Sequence, residues 1–189
     1  METNETDKSV EQLNLLKKDA QRFMKKGLPF ILASVVIWLL ILLARLLAPD
    51  LQTANLATFV CCCLLMPLAI LFAKAVKADI FRKTKNPFKT LCLVCTFNQF
   101  LYVLIVMWAF SRSPEAMVMI YAMVFGAHLL PFGWIYDSKA CTVLSVVETA
   151  GALVIGCLWG SVPVAAFIAC GEAVLSLLLF RECKGLEEE

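Results

Sequence analysis

Charge is scarce in this sequence. Of 189 residues only 17% are Asp, Glu, Lys or Arg, and histidine occurs once. A soluble domain is nearer half apolar and a quarter charged; here 61% of residues are hydrophobic and the mean hydropathy is +0.81. That balance excludes a secreted disulfide domain, a disordered tail and a nucleic-acid-binding module. G-x-S-x-G, H-E-x-x-H and Walker runs are also missing, which leaves hydrolase, zincin and ATPase readings unsupported and implies no cofactor. No cleavable signal peptide is read. A charged preamble of 27 residues precedes an apolar run too long for an h-region, so that run is expected to stay as an anchor.

What fills the chain is apolar sequence. Six stretches, at about 28–48, 54–76, 88–110, 115–134, 141–160 and 162–180, are each long enough to cross about 30 Å of hydrocarbon as a helix. The expected fold is an all-α integral membrane bundle of six transmembrane helices (27–181), with a cytoplasmic amphipathic tail (1–26) and a short C-terminal tail (182–189). Asn86-Pro87, Ser113-Pro114 and Asp137-Ser138 offer helix starts, and Ser161 with Pro163 a tight turn. Pro67 and Pro131 lie inside spans and predict kinks.

Lysine and arginine set the expected orientation. The 1–27 preamble, the 74–89 loop, the 4–5 loop and the C-terminal tail carry all the basic residues except Arg45 and Arg112. By the positive-inside rule both termini face the cytoplasm. Residues 9–26 read as a helix opened by a Ser9–Gln12 capping box, with Val10, Leu13, Leu16, Ala20 and Phe23 on one face. Its Lys17, Lys18, Arg22, Lys25 and Lys26, together with Arg82, Lys83 and Lys85 of the loop, are expected to face the anionic lipids of the inner leaflet. Arg45 is expected to snorkel to the headgroups. Trp108, Trp134 and Trp159 sit near span ends, as in an aromatic belt, while Trp38 is mid-span.

Nine cysteines are present, most of them inside spans. Cys92 and Cys95 form a C-x-x-C, but with no second pair at ligand spacing and a reducing compartment beside them, small apolar filler is the better reading and no metal site is assigned. Cys141 and Cys183, at the boundary, are open to acylation in a suitable host.

Ionisable groups in hydrocarbon cost about 2.5–3.5 kcal/mol each and by default mark function. His128, Glu148 and Glu172 are three such groups, and Asn98 with Gln99 adds a polar pair. Folding adjacent spans about their turns gives their depths. Glu148 lies 13 residues before Ser161 and Glu172 11 after it, a difference of about 3 Å. The same counting brings His128, Asn98 and Gln99 to one layer, where spans one and two supply only apolar residues and cysteines. Glu148, Ala152, Gly156 and Gly160 share a face, as do Ala165, Ala169 and Ala173, and such small stripes let membrane helices approach closely. The two glutamates should face inward. Two carboxylates in a dry layer cannot both stay ionised cheaply, so at least one is expected to be protonated near neutral pH.

Proton-linked transport, a divalent metal held by His128, Glu148 and Glu172, or a purely structural hydrogen-bonded layer all fit that cluster. The runs Gly27-Leu28-Pro29-Phe30, Asn86-Pro87-Phe88, Asn98-Gln99-Phe100-Leu101-Tyr102 and Gly126-Ala127-His128-Leu129-Leu130-Pro131-Phe132-Gly133-Trp134 resemble an uncharacterised family of small bacterial multi-pass membrane proteins. The resemblance covers roughly residues 22–160. It implies a bacterial inner-membrane location and no assigned activity. The preferred function is a small proton- or ion-linked solute transporter with His128, Glu148 and Glu172 at its centre and Asn98 and Gln99 as polar partners. The alternatives are a protein acting through lipid or protein contacts on its basic face, and an intramembrane enzyme or metal carrier. A homodimer is compatible with the small size; nucleic acid is not expected as a partner, and the solute is not named.

Overall fold

A computed structural model describes residues 2–188, with side chains described for 6–186. The fold is all-α: α1 (Glu2–Met24), α2 (Leu28–Leu47), α3 (Leu51–Cys63), α4 (Leu65–Ala75), α5 (Pro87–Arg112), α6 (Met117–Ile135), α7 (Lys139–Trp159) and α8 (Ser161–Glu188). Five helices are long and apolar enough to cross a membrane by themselves, or six if the bent pair α3–α4 counts as one span. The chain is thus a helical membrane-type bundle.

Local chemistry accounts for most boundaries. Asn86 accepts from Phe88 N, with Pro87 in the first turn, and Ser138 Oγ accepts from Cys141 N. Asp50 caps α3 by accepting from Thr53 N and Oγ1 at 2.8 and 2.7 Å, which holds its carboxyl below the ordinary range. Between α1 and α2, Lys25, Lys26 and Gly27 run through left-handed backbone (φ 48°, 48° and 75°). Lysine is strained there, and the turn is fastened by Lys26 Nζ, which donates to Glu182 Oε2 at 2.8 Å.

Two sequence expectations need correction, and the expected kink at Pro67 is present. The Ser9–Gln12 capping box does not exist, because the residues before Ser9 are already helical and both lie inside α1. Ser113 does not cap α6; Pro114, Glu115 and Ala116 form a turn and the helix starts at Met117. The second span bends by 41° at Leu64, one turn before Pro67. Proline has no N–H to give the Cys63 carbonyl and its ring collides with that group, so the break falls in the preceding turn. Pro131 causes no break, and α6 continues through it to Ile135.

At the centre, α6 packs on α7, α2 on α8 and α7 on α8, with α3–α4 resting on α2 and α5 on α6. The α6–α7 contact is close because Gly126 lies against the Thr149 backbone, where a Cβ would sit 2.9 Å from Thr149 N. Trp38, fully buried, stacks on Tyr121 (centroids 5.2 Å apart), whereas Trp108, Trp134 and Trp159 are exposed around the rim. The second half of α1 is docked rather than loose. Ala20, Phe23 and Met24 join Phe88, Cys92, Ile135 and Tyr136 in one apolar cluster. Residues 182–188 continue α8.

Candidate functional site

The buried polar layer rests on Glu148 of α7 and Glu172 of α8, both 0% exposed. Glu148 Oε1 reaches the α8 backbone at Gly171, the residue before Glu172, so the helix pair brings the two carboxyls into one layer. Glu148 Oε1 occupies the space a side chain at Gly171 would need, and Glu148 Cβ lies 3.1 Å from where a Cβ at Gly126 would stand. The carboxyl is thereby clamped between α6 and α8 by two glycines. Among the described residues neither Glu148 oxygen has a hydrogen-bond partner, and Glu172 Oε1 also lacks one. Glu172 Oε2 accepts from the Ser34 hydroxyl of α2, which stands 2.7 Å from the Ile31 carbonyl as well.

Ser34 is a residue the sequence reading missed. Span one is expected to be apolar at this depth, yet Ser34 is buried there against Glu172. The signal was available. Ser34 is the one hydroxyl in α2, six residues from its start at Leu28, a depth comparable to that of Glu172 on α8.

Two chambers of about 240 and 300 Å³ lie end to end between α2, the bent pair α3–α4, α5 and α6. They share Ser34, Leu65, Met66, Thr96, Gln99 and Phe125 as a common waist. Their walls are mostly apolar. The first chamber reaches Lys26, Lys89 and Tyr136 at the basic end; the second reaches Thr58, Val106 and Tyr121. Ser34 therefore belongs to the waist wall and its hydroxyl reaches Glu172 behind it.

The other expected site residues divide. His128 lines the first chamber with its ring edge against Phe132, centroids 5.0 Å apart, and Gln99 lines the waist. They belong to the cavity, whereas the carboxyls lie behind it. Asn98 is exposed on the far face of α5, where it donates to Tyr102 Oη at 2.7 Å, so it is not a partner of the layer. One residue of offset on a helix turns a side chain by about 100°, which is why neighbours Asn98 and Gln99 part company. Among the described residues no three His, Cys, Asp or Glu side chains come together to hold a metal, which removes His128, Glu148 and Glu172 as a ligand set. Among the described residues no disulfide forms, and Cys141 and Cys183, the candidates for acylation, are both buried.

The basic residues also divide. Lys17 and Lys26 turn inward instead of facing lipid. Lys17 Nζ donates to Asp137 Oδ1 at 2.5 Å, and Gln21 Nε2 donates to Asp137 Oδ2 at 3.0 Å. Burial favours the neutral acid, but these hydrogen bonds and the Lys17 charge outweigh it and hold Asp137 below its ordinary value. Arg82 lies 3.7 Å from Asp19 and over the Phe23 ring. Lys18, Arg22, Lys83 and Lys85 are exposed, with Lys25 half-buried. Arg45 does not snorkel freely, since its Nε and Nη2 are buried without hydrogen-bond partners.

Against known proteins, the profile of a family of unknown function, DUF7010, matches residues 13–182. The chain belongs to this family. The DUF7010 match takes in the polar layer and Glu172, and so extends beyond residues 22–160. No curated protein matches the chain, and no solved structure does.

Proposed function

We propose that the protein is a small proton-linked membrane transporter, in which Glu148 and Glu172 hold the exchangeable proton and the adjoining chambers hold the solute. One observation carries this reading. Two carboxyls with no counter-ion among the described residues share a fully buried layer, and one of them is joined to the cavity wall through Ser34. Ser34 has a single proton and two acceptor neighbours, Ile31 O and Glu172 Oε2. Both contacts become good hydrogen bonds when a protonated Glu172 donates to Ser34 Oγ and Ser34 donates to Ile31 O. A neutral Glu172 is also what the cost of a buried, unpaired carboxylate favours.

Loss of that proton would leave a charge next to the waist and change which cavity shape is stable, the coupling a proton-linked carrier needs. Exposed Lys18, Arg22, Lys83 and Lys85 support placing the α1 end on the cytoplasmic side of a bacterial inner membrane. The direct test is proton flux. Purified protein in liposomes enclosing a pH dye should acidify them when a pH gradient and candidate solutes are applied together. Glu172→Gln and Glu148→Gln should each abolish the flux. Equal flux in wild type and both variants would refute the reading.

A further inference from the structure

We propose that the paired chambers bind a single-chain anionic amphiphile, its head at Lys89 and its acyl chain running through the waist past Ser34 and Gln99 to Val106. This names the class of solute for the transport reading above and rests on the same cavity.

Shape is the first argument. On α5 the lining runs from Lys89 to Val106, 17 residues, or about 25 Å of helix. That is most of a hydrocarbon thickness of about 30 Å, and the walls of both chambers are mostly apolar over that length. A compact polar solute would leave most of that wall without a complement. One extended acyl chain fills it.

Charge fixes the head. Among the described residues no acidic side chain lines either chamber, and the two lining cations differ. Lys26 is neutralised by Glu182 at 2.8 Å. Lys89 donates only to the Arg82 backbone carbonyl and pairs with no carboxylate among the described residues. It leaves one uncompensated positive charge at the end of an apolar slot, which suits a single carboxylate or phosphate at the headgroup level.

Access agrees with the same ligand. α4 packs on α2 while α5 packs on α6 and α1, and the lining residues Met66, Phe81, Leu93 and Phe100 are all exposed. The slot therefore opens sideways between α4 and α5, the route by which an amphiphile already dissolved in a bilayer would enter.

The test is photolabelling of the full-length protein in vesicles with a diazirine-bearing palmitate, mapped by mass spectrometry. Labels should fall on Thr96, Gln99 or Phe125 at the waist. Excess palmitate or lysophosphatidate should suppress them at least tenfold better than a monoacylglycerol of equal chain length, and the better of the two acids identifies carboxylate or phosphate as the natural head. Lys89→Gln should remove that preference while the protein stays folded. Labels confined to outward residues such as Phe97, Leu101 and Trp108, or equal competition by the neutral lipid, would overturn the proposal. Glu172→Gln separates it from the transport reading: waist labelling that survives in this variant, with no proton flux in wild type, sinks only the proton linkage.

Discussion

Glu148 Oε1 sits in the space that any side chain larger than hydrogen at Gly171 would claim. A carboxyl on one helix is thus accommodated by a missing side chain on the next, beside the second carboxyl, Glu172. Gly171→Ala should therefore displace Glu148 rather than merely fill a gap. Overpacking of this kind costs about 1–3 kcal/mol. The expected outcome is a clear drop in the midpoint of thermal unfolding in detergent, together with lost proton flux. An unchanged midpoint would mean that the two helices do not meet as closely as described.

Ser34→Ala removes the hydroxyl that joins Glu172 to the cavity. A buried polar group left without its hydrogen-bond partner costs about 1–3 kcal/mol. Folded yield should fall modestly, whereas proton flux in liposomes should fall at least tenfold. Ser34→Thr keeps the hydroxyl and should restore flux. Wild-type flux in Ser34→Ala would place the proton route elsewhere.

Asn98 and Gln99 are adjacent in sequence but separated in space. Gln99 faces the waist and Asn98 faces outward, hydrogen-bonded within its own helix. Gln99→Ala should alter solute-dependent flux, and Asn98→Ala should leave it within twofold of wild type. The reverse pattern, measured in the same liposomes, would mean that α5 is rotated.

The Lys17–Asp137 pair ties α1 to the turn between α6 and α7. Asp137 titrates below its ordinary 3.8 in the folded protein. Because its folded value is depressed, the stabilisation is fully present above about 3.8 and is lost as pH falls through the lower folded value. Asp137 is 61% exposed, so solvent screening limits the pair to about 1 kcal/mol. Asp137→Asn at neutral pH should raise tryptic cleavage within α1 several-fold. In wild type, protection of α1 from an acid-active protease should hold at pH 5 and weaken only below about pH 4.

Much of this was legible in the sequence because membrane helices announce themselves by length and hydropathy. Counting residues from turns brought Glu148 and Glu172 to one depth, and depth along straight helices is a local quantity. Rotation about the axis is not, so His128 was grouped with carboxyls that it does not join. The partners of Lys17 and Lys26 lie 120 and 156 residues away, and nothing local marks a basic residue as inward-facing. The bend at Leu64, by contrast, is a local effect: Pro67 signals it, and it falls in the turn that loses its hydrogen bond.

Labelling of the membrane-embedded protein near pH 7 with an apolar carbodiimide, read by mass spectrometry, tests the protonated carboxyl pair most directly, since the reagent attacks neutral carboxyls in apolar surroundings. The expected result is modification of Glu148 or Glu172 that fades as pH rises. A Gln99→Glu variant, with its new carboxyl in the cavity wall, reports whether the reagent reaches the waist. Labelling of that control with none at Glu148 or Glu172 at any pH from 5 to 8 would contradict a proton held in this layer.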